Sequence, residues 1–371
     1  MIRIDEIYNH TFWPWLEKNL PGTRLFFCDP PGHTTPDALF NLGRDDILET
    51  DYVWMHDQEP CWTEEYQLLF DDVARRNIDI WWHQHNQVKP AQFGHIVVSE
   101  KGEFAERLAQ QYGWKMHYYF YHGWACQDWY RGYDKSFLIP RARDRTPTRT
   151  FMSPNRIVGG KRDHRVLFLY NVFKHHLEHN HISAPRICQY ENVDISVVAN
   201  KYCNTYPDIS QVFERATLPR LFAGEESQQM TSCWLGNYTE AQDSLVYVPT
   251  ETVYFGRRTH ITEKTFKAIA LEMPFVLVAP VYSLEYMRGY GFKTFSGIFD
   301  ESYDEETNDI TRIEKVVKLL KDLDNLSSKE KQQIHHACLP VVEHNYRHFY
   351  QGGLTDVLWP ELIGMLNGIQ T

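Results

Sequence analysis

The chain has 371 residues, 43% of them hydrophobic and 23% charged, with a formal net charge of −11. That length exceeds one ordinary core and suggests two domains of roughly 150–200 residues each, and the composition excludes a disordered chain. No apolar run approaches the ~20 residues of a membrane-spanning helix, and the opening MIRIDEIYNH holds no signal-peptide core.

Cysteines stand at 28, 61, 126, 188, 203, 233 and 338 with no C-x-x-C pair, which fits reduced thiols in a cytoplasm and argues against a zinc site. The charge is uneven. Residues 1–138 hold 12 Lys and Arg against 21 Asp and Glu, whereas eight basic side chains crowd between Arg141 and Arg165. A basic segment in an acidic protein suggests a local anion site more than a broad nucleic-acid surface, or simply a solvated linker.

In chain order, TRLFFCD, DYVWMHD, IDIWWHQHN and HIVVSE read as strands. TEEYQLLFDDVARRN and EFAERLAQQYGW carry apolar residues at helical spacing. Such alternation predicts a parallel sheet covered on both faces. DYVWMHD ends at Asp57, with Glu59 two positions on before Pro60; both carboxylates also suit a turn cap. His83 and His85 form an i, i+2 pair, but without a third ligand a structural role is preferred over a metal site. YHGWACQDWYRGY contributes His122, placed at a strand-to-loop transition, with Trp124, Asp128 and Arg131. Nine of the 11 tryptophans fall at or before Trp129, among them Trp54, Trp62 and Trp81. Most belong in a core, and a few near these positions suit stacking on a sugar or a base.

IPRARDRTPTRT (residues 139–150) is polar, holds two prolines and reads as the linker between residues 1–140 and 150–340. RTFMSPN then predicts a strand, DHRVLFLYNVFKHHLEHN a helix, DSLVYVPTE a strand, TEKTFKAIALEM a helix, PFVLVAP a strand and SLEYMRGYGF a helix. A charged helical stretch runs from Ile310 to Phe349, and the end of the chain, about 341–371, is expected to pack back on the first domain. The loop SPNRIVGGKRDHR (Ser153–Arg165) places Gly159 and Gly160 among Arg156, Lys161 and Arg165 at the edge where a strand meets a helix. A glycine-flanked basic loop of this kind suits a phosphate, although it is neither G-x-G-x-x-G nor a Walker motif; the plainer reading is a basic turn. Thr262 is placed to cap a helix whose buried face is Phe266, Ile269, Ala270 and Met273. Helix N-termini favour anions, so Lys264 in the first turn calls for a reason, which a diphosphate would supply, while Glu263 suits ribose hydroxyls. In an open α/β sheet the ligand lies beyond the carboxyl ends of the strands.

YVPTETVYFGRRTHITEKTFKAIALEMPFVLVAP (247–280) resembles the donor motif of GT-B glycosyltransferases and is similar to the TEK element of α1,3-fucosyltransferases. It is closer still to phage- and virus-encoded glycosyltransferases, several of them thought to place sugars on modified DNA bases. HDQEP, YYFYHGWACQDWYRGY, the Asn155–Arg165 loop and GFKTFSGIFDESYD match as well, so the resemblance is patchy but touches both halves. It implies a GT-B architecture, two Rossmann-like α/β domains facing a central cleft. It further implies that Glu263 binds the donor ribose, that Lys264, Arg156, Lys161 and Arg165 bind the diphosphate, and that Glu251 approaches the sugar or base.

Direct-displacement transfer needs a group to take the acceptor's proton. Asp57 is the first candidate, with His122 and Asp128 as rivals, and Glu59, Trp54, Trp124 and Arg131 would line the acceptor side. The single D-x-D, Asp322-Leu-Asp324, lies in a charged helix far from any strand end, so no metal requirement is expected and no cofactor beyond the co-substrate, a nucleotide sugar linked to UDP. By resemblance the acceptor is the hydroxymethyl group of 5-hydroxymethylcytosine in viral DNA, acted on by a monomer in the host cytoplasm. Alternatives are a glycan acceptor, a non-catalytic nucleotide- or glycan-binding protein, and a sugar-nucleotide epimerase.

Overall fold

The computed structural model describes residues 18–19, 25–28, 52–55, 95–111, 113, 115–130, 141–188, 191–222 and 238–369. It is a mixed α/β protein whose chain divides into two compact units, one of residues 1–129 with 355–371 and one of residues 130–354.

Among the described residues of the first unit, four parallel strands lie side by side in the order β1 (Leu25–Cys28), β2 (Tyr52–Met55), β3 (His95–Val98) and β4 (Lys115–Tyr118). Leu25 pairs with Tyr52, Val53 with Ile96, and Ile96 with Met116. Helix α1 (Glu103–Gln111) is the crossover between β3 and β4, as a parallel pair requires. Helix α2 (Tyr121–Tyr130) follows β4. His122 is therefore the second residue of a helix and not at a strand-to-loop transition, because the helix starts directly after the buried pair Tyr119 and Phe120.

The second unit is built on β5 (Arg149–Ser153), flanked in parallel by β6 (His181–Ile182) on one side and β9 (Ser244–Tyr247) on the other. The segment 275–278 runs parallel to β9, through Tyr247 opposite Phe275 and Thr250 opposite Val278. This is the expected PFVLVAP strand. Its ladder is interrupted because Pro249 has no N–H to donate. Phe151, Met152, Val246, Val248, Val276 and Val278 are all fully buried, as befits a parallel sheet covered on both faces.

Helix α3 (Asp163–Lys174) follows β5 and stops six residues short of the expected end at Asn180. His176 takes a left-handed φ of 57°, and the Leu177 and His176 amides donate to the carbonyls of Val172 and Phe173, closing the helix with a Schellman turn. Between β6 and β9, where no element was expected, lie a small hairpin of β7 (Ile187–Cys188) and β8 (Val193–Asp194) and the short helices α4 (Ile195–Asn200), α5 (Ile209–Arg215) and α6 (Tyr238–Asp243). Helix α7 (Glu263–Ala270) buries Phe266, Ile269, Ala270 and the following Met273, the face anticipated from spacing. After α8 (Ser283–Gly289), the long charged stretch is two helices, α9 (Asp309–Asp324) and α10 (Ser328–Tyr350). Ser327 starts the second with a capping box, its hydroxyl accepting from the Glu330 amide while the Glu330 carboxylate accepts from the Ser327 amide. Helix α11 (Gly353–Ile369) closes the described chain, and no helix among the described residues is long and apolar enough to cross a membrane.

Residues 141–150, expected in a linker, are built into the second unit. Arg145 is 3% exposed and donates to the backbone carbonyls of Leu271 (2.7 Å) and Glu272 (3.2 Å), and its burial pushes its pKa down to about 10. The Glu272 carboxylate pairs with Arg141 and accepts from the Ala142 amide at 3.0 Å. Arg141 and Arg145 thus hold the end of α7 against the chain entering β5, while Arg143 and Arg149 stay exposed. Arg141 and Arg145 are therefore structural in this fold and not part of a solvated linker.

Candidate functional site

Parallel strands place everything that follows β5, β9 and 275–278 at one sheet edge, and this edge gathers the motifs of the second unit. Glu251, four residues past β9, is fully buried and joins three of its loops. Its Oε1 accepts from the Thr262 amide (3.2 Å) and the Thr265 hydroxyl (2.5 Å), and its Oε2 accepts from the Thr262 hydroxyl (2.5 Å). Its backbone carbonyl is bonded by His164 Nε2 (2.9 Å) and Arg165 Nη2 (3.2 Å), both from the first turn of α3. Its amide donates to the Val278 carbonyl at 2.9 Å. One position earlier, the Thr250 hydroxyl donates to Asn155 Oδ1 at 2.8 Å, tying the basic loop to the same edge.

Thr262 caps α7 as expected, its hydroxyl accepting from the Lys264 amide at 3.4 Å. The two residues after it are not equally presented. Glu263 is 2% exposed, so it is not open at the sheet edge as its sequence position suggested. Lys264 covers it, with Nζ donating to Glu263 Oε1 at 2.6 Å, to the Thr252 hydroxyl at 2.9 Å and to the Thr262 hydroxyl at 3.4 Å.

Two expected ligand contacts are turned inward. Glu251 approaches no open surface, because the α7 N-terminus uses both of its oxygens. Arg165, 4% exposed, donates to the carbonyls of Ile157, Thr250 and Glu251, so its guanidinium braces the loops. Lys161 is exposed and Arg156 half-buried, so these two retain the surface position that anion binding needs. Gly160 has φ 64°, and a Cβ on Gly159 or Gly160 would strike the Glu191 carboxylate. The glycine loop therefore lies close against the Glu191 side chain, which leaves no room for a side chain at either position.

His164 stacks on Tyr254 at 5.2 Å between ring centroids, and burial pushes its pKa well below the usual imidazole value, so the neutral ring donates from Nε2. In the first unit, His122 is 1% exposed and its amide donates to the Ser99 hydroxyl at 3.3 Å. Asp57, Glu59, Arg131, His83 and His85 lie outside the described residues. Trp54 is on β2, and Trp124 and Asp128 are on α2, placed by their backbones alone. Asp324 of the D-x-D is not remote from a strand end. It accepts from the Thr150 hydroxyl (2.6 Å), Asn180 (3.1 Å) and His179 (3.1 Å) beside the start of β5, the edge opposite the motif loops. Among the described residues no group of three or more His, Cys, Asp or Glu is placed to hold a metal ion.

No protein-family model matches the chain, and no curated protein matches it significantly.

Sequence reasoning missed the residues that brace this edge. Arg312 of α9, 1% exposed, donates to the carbonyls of Ala279 and Tyr254, which lie in the loops leaving strand 275–278 and β9. Asp304 accepts from the Leu284 and Glu285 amides, and its own carbonyl accepts from the amide of Tyr282, a residue with φ 65° that is 40% exposed just past strand 275–278. Burial raises the Asp304 pKa from 3.8 to about 6, the two amides pulling only partly against it. A carboxyl raised in the fold contributes stability that is complete below pH 3.8 and is lost as pH rises through 6, a swing of at most about 3 kcal/mol. Wild type should therefore lose stability relative to Asp304→Asn as pH rises from 4 to 7. Urea midpoints for both proteins across that range check this, since the opposing titration of the buried histidines cancels in the difference. A constant difference would show that Asp304 does not titrate in this window.

Proposed function

We propose that the protein is a glycosyltransferase that takes a sugar from a nucleotide-sugar donor, with the donor held by the second unit and the two units forming a GT-B pair. The observation that carries this reading is the Glu263–Lys264 pair in the first turn of α7, on the carboxyl edge of a parallel sheet and tied through Glu251 and Thr250 to the glycine-containing basic loop. An ammonium and a carboxylate on adjacent residues suit the diphosphate and the ribose diol of one ligand. Exposed Lys161 and half-buried Arg156 add positive charge from the loop, and α7 adds its N-terminal partial charge. In this reading a first-unit group, Asp57 ahead of His122 and Asp128, removes the acceptor proton. The acceptor oxygen then bonds to the anomeric carbon as the nucleoside diphosphate departs with the glycosidic electron pair. Lys264, Arg156 and Lys161 stabilise the negative charge that collects on the leaving diphosphate.

By sequence resemblance the acceptor is the hydroxymethyl group of a modified pyrimidine in DNA. A second reading, a neutral glycan acceptor, is favoured by the internal use of Arg141, Arg145 and Arg165, which shortens any basic track for a phosphate backbone. The test is a mass-spectrometric screen of UDP-, GDP- and ADP-sugars against hydroxymethylated DNA and simple glycans at two salt concentrations. Transfer to DNA should fall steeply between 50 and 200 mM salt, by about tenfold or more, and transfer to a glycan should barely change. No transfer to either, with no nucleoside diphosphate bound in calorimetry, would reject the reading.

A further inference from the structure

Glu263 and Lys264 do not wait side by side for a ligand. The Lys264 ammonium sits on Glu263 at 2.6 Å and is steadied by the Thr252 hydroxyl at 2.9 Å. The Glu263 side chain is 3% exposed and that of Lys264 26%, so an arriving molecule meets the ammonium and not the carboxylate. The ammonium also shares Thr262 with Glu251, since the hydroxyl that donates to Glu251 Oε2 at 2.5 Å lies 3.4 Å from Nζ. One carboxylate and two hydroxyls, one of them itself bonded to Glu251, thus hold the lysine down at the N-terminus of α7, where the helix itself disfavours a cation.

We propose that Lys264 is a latch over Glu263, released by the diphosphate of the ligand. This rests on the donor reading above and adds an order to it. A diphosphate offers Lys264 a stronger anionic partner and draws Nζ away from Thr252 and Glu263. The Glu263 carboxylate, freed of its cation, then accepts hydrogen bonds from the vicinal ribose hydroxyls. A nucleoside alone has to displace the lysine without offering it a new partner, so it binds poorly even where its own contacts are sound. The two halves of the ligand are consequently coupled: filling the phosphate position raises affinity for the nucleoside, and the reverse holds by linkage. The device discriminates against nucleosides before any transfer chemistry takes place.

The prediction has opposite signs for two ligands on one variant. Lys264→Met removes the latch and the phosphate contact together. By calorimetry at pH 8 its affinity for a nucleoside diphosphate, tested as UDP, GDP and ADP, should fall by about tenfold or more. Its affinity for the matching nucleoside should rise by about fivefold or more. Thr252→Val keeps the ammonium and removes one of its resting partners, so it should bind both ligands more tightly than wild type. In wild type, inorganic pyrophosphate should tighten nucleoside binding. A loss confined to the diphosphate, with nucleoside affinity unchanged or lower in Lys264→Met and no gain in Thr252→Val, overturns the latch and leaves the donor site standing. Wild type that binds none of the diphosphates overturns both. If Lys264→Met does not fold, as judged by circular dichroism, Thr252→Val and the pyrophosphate experiment decide the matter.

Discussion

Arg312→Met is expected to destabilise the second unit by about 3–5 kcal/mol, as breaking a fully engaged buried charge does. The guanidinium is 1% exposed, and each of its nitrogens has a partner: Nε the Ala279 carbonyl (3.1 Å), Nη1 the Glu306 carbonyl (2.8 Å), and Nη2 both the Tyr254 carbonyl (3.0 Å) and Asp309 Oδ1 (2.7 Å). It also lies over the Tyr254 ring, 4.3 Å from the centroid. Methionine fills much of the volume and supplies no donor, so three carbonyls and a carboxylate lose their partner, each at about 1–3 kcal/mol if it stays dry. Water reaching the half-exposed Asp309 side sets the lower end of the range. Urea unfolding followed by circular dichroism measures the change, read on whichever transition belongs to residues 130–354. A shift below about 1 kcal/mol would show that relaxation re-satisfies these groups and that α9 is not what holds the two loops.

The site was only partly legible in the sequence, and the division has a physical basis. Apolar runs such as LVYV and FVLV announce buried parallel strands because both faces must be dry, and Thr262 announces a cap because capping is local. Such signals span a turn or a strand. What escaped notice depends on partners far along the chain. Glu251 finds its acceptor role 11 and 14 residues away, at Thr262 and Thr265. Arg145 is spent on carbonyls 126 and 127 residues away, so a polar, proline-bearing stretch that looks like a linker is bound tightly. Arg312, amid the alternating charges of α9, looks like one more solvated residue until the fold brings the loops of Ala279 and Tyr254 to it. The misreading of Glu263 has the same root. A residue at a helix start on the carboxyl edge of the sheet is placed correctly by pattern, but its exposure is set by the side chain that folds over it.

Glu251→Ala should then abolish nucleotide binding from a position that contacts no ligand in the proposed arrangement. Its carboxylate is the common acceptor for the Thr262 amide, the Thr262 hydroxyl and the Thr265 hydroxyl, all buried. Alanine leaves these donors unpaired in a site with little room for water, a loss of about 3 kcal/mol when their non-additivity is allowed for. The turn that carries Glu263 and Lys264 loses the anchor that sets its angle to the strand, and with it the Thr262 hydroxyl that steadies Lys264. Glu251→Gln is the informative companion. Its amide oxygen can still accept from the Thr262 amide and the Thr265 hydroxyl, and its amide nitrogen can donate to a reoriented Thr262 hydroxyl, so stability should drop by only about 1 kcal/mol. If Glu251 acts by positioning, the glutamine variant should recover most of the affinity for a nucleoside diphosphate along with most of the stability. If its negative charge contacts the ligand, as the sequence resemblance implied, the glutamine variant would regain stability while affinity stayed as poor as in alanine. Paired melting curves and titrations on wild type and the two variants separate these outcomes, and the inward geometry of both Glu251 oxygens predicts the first.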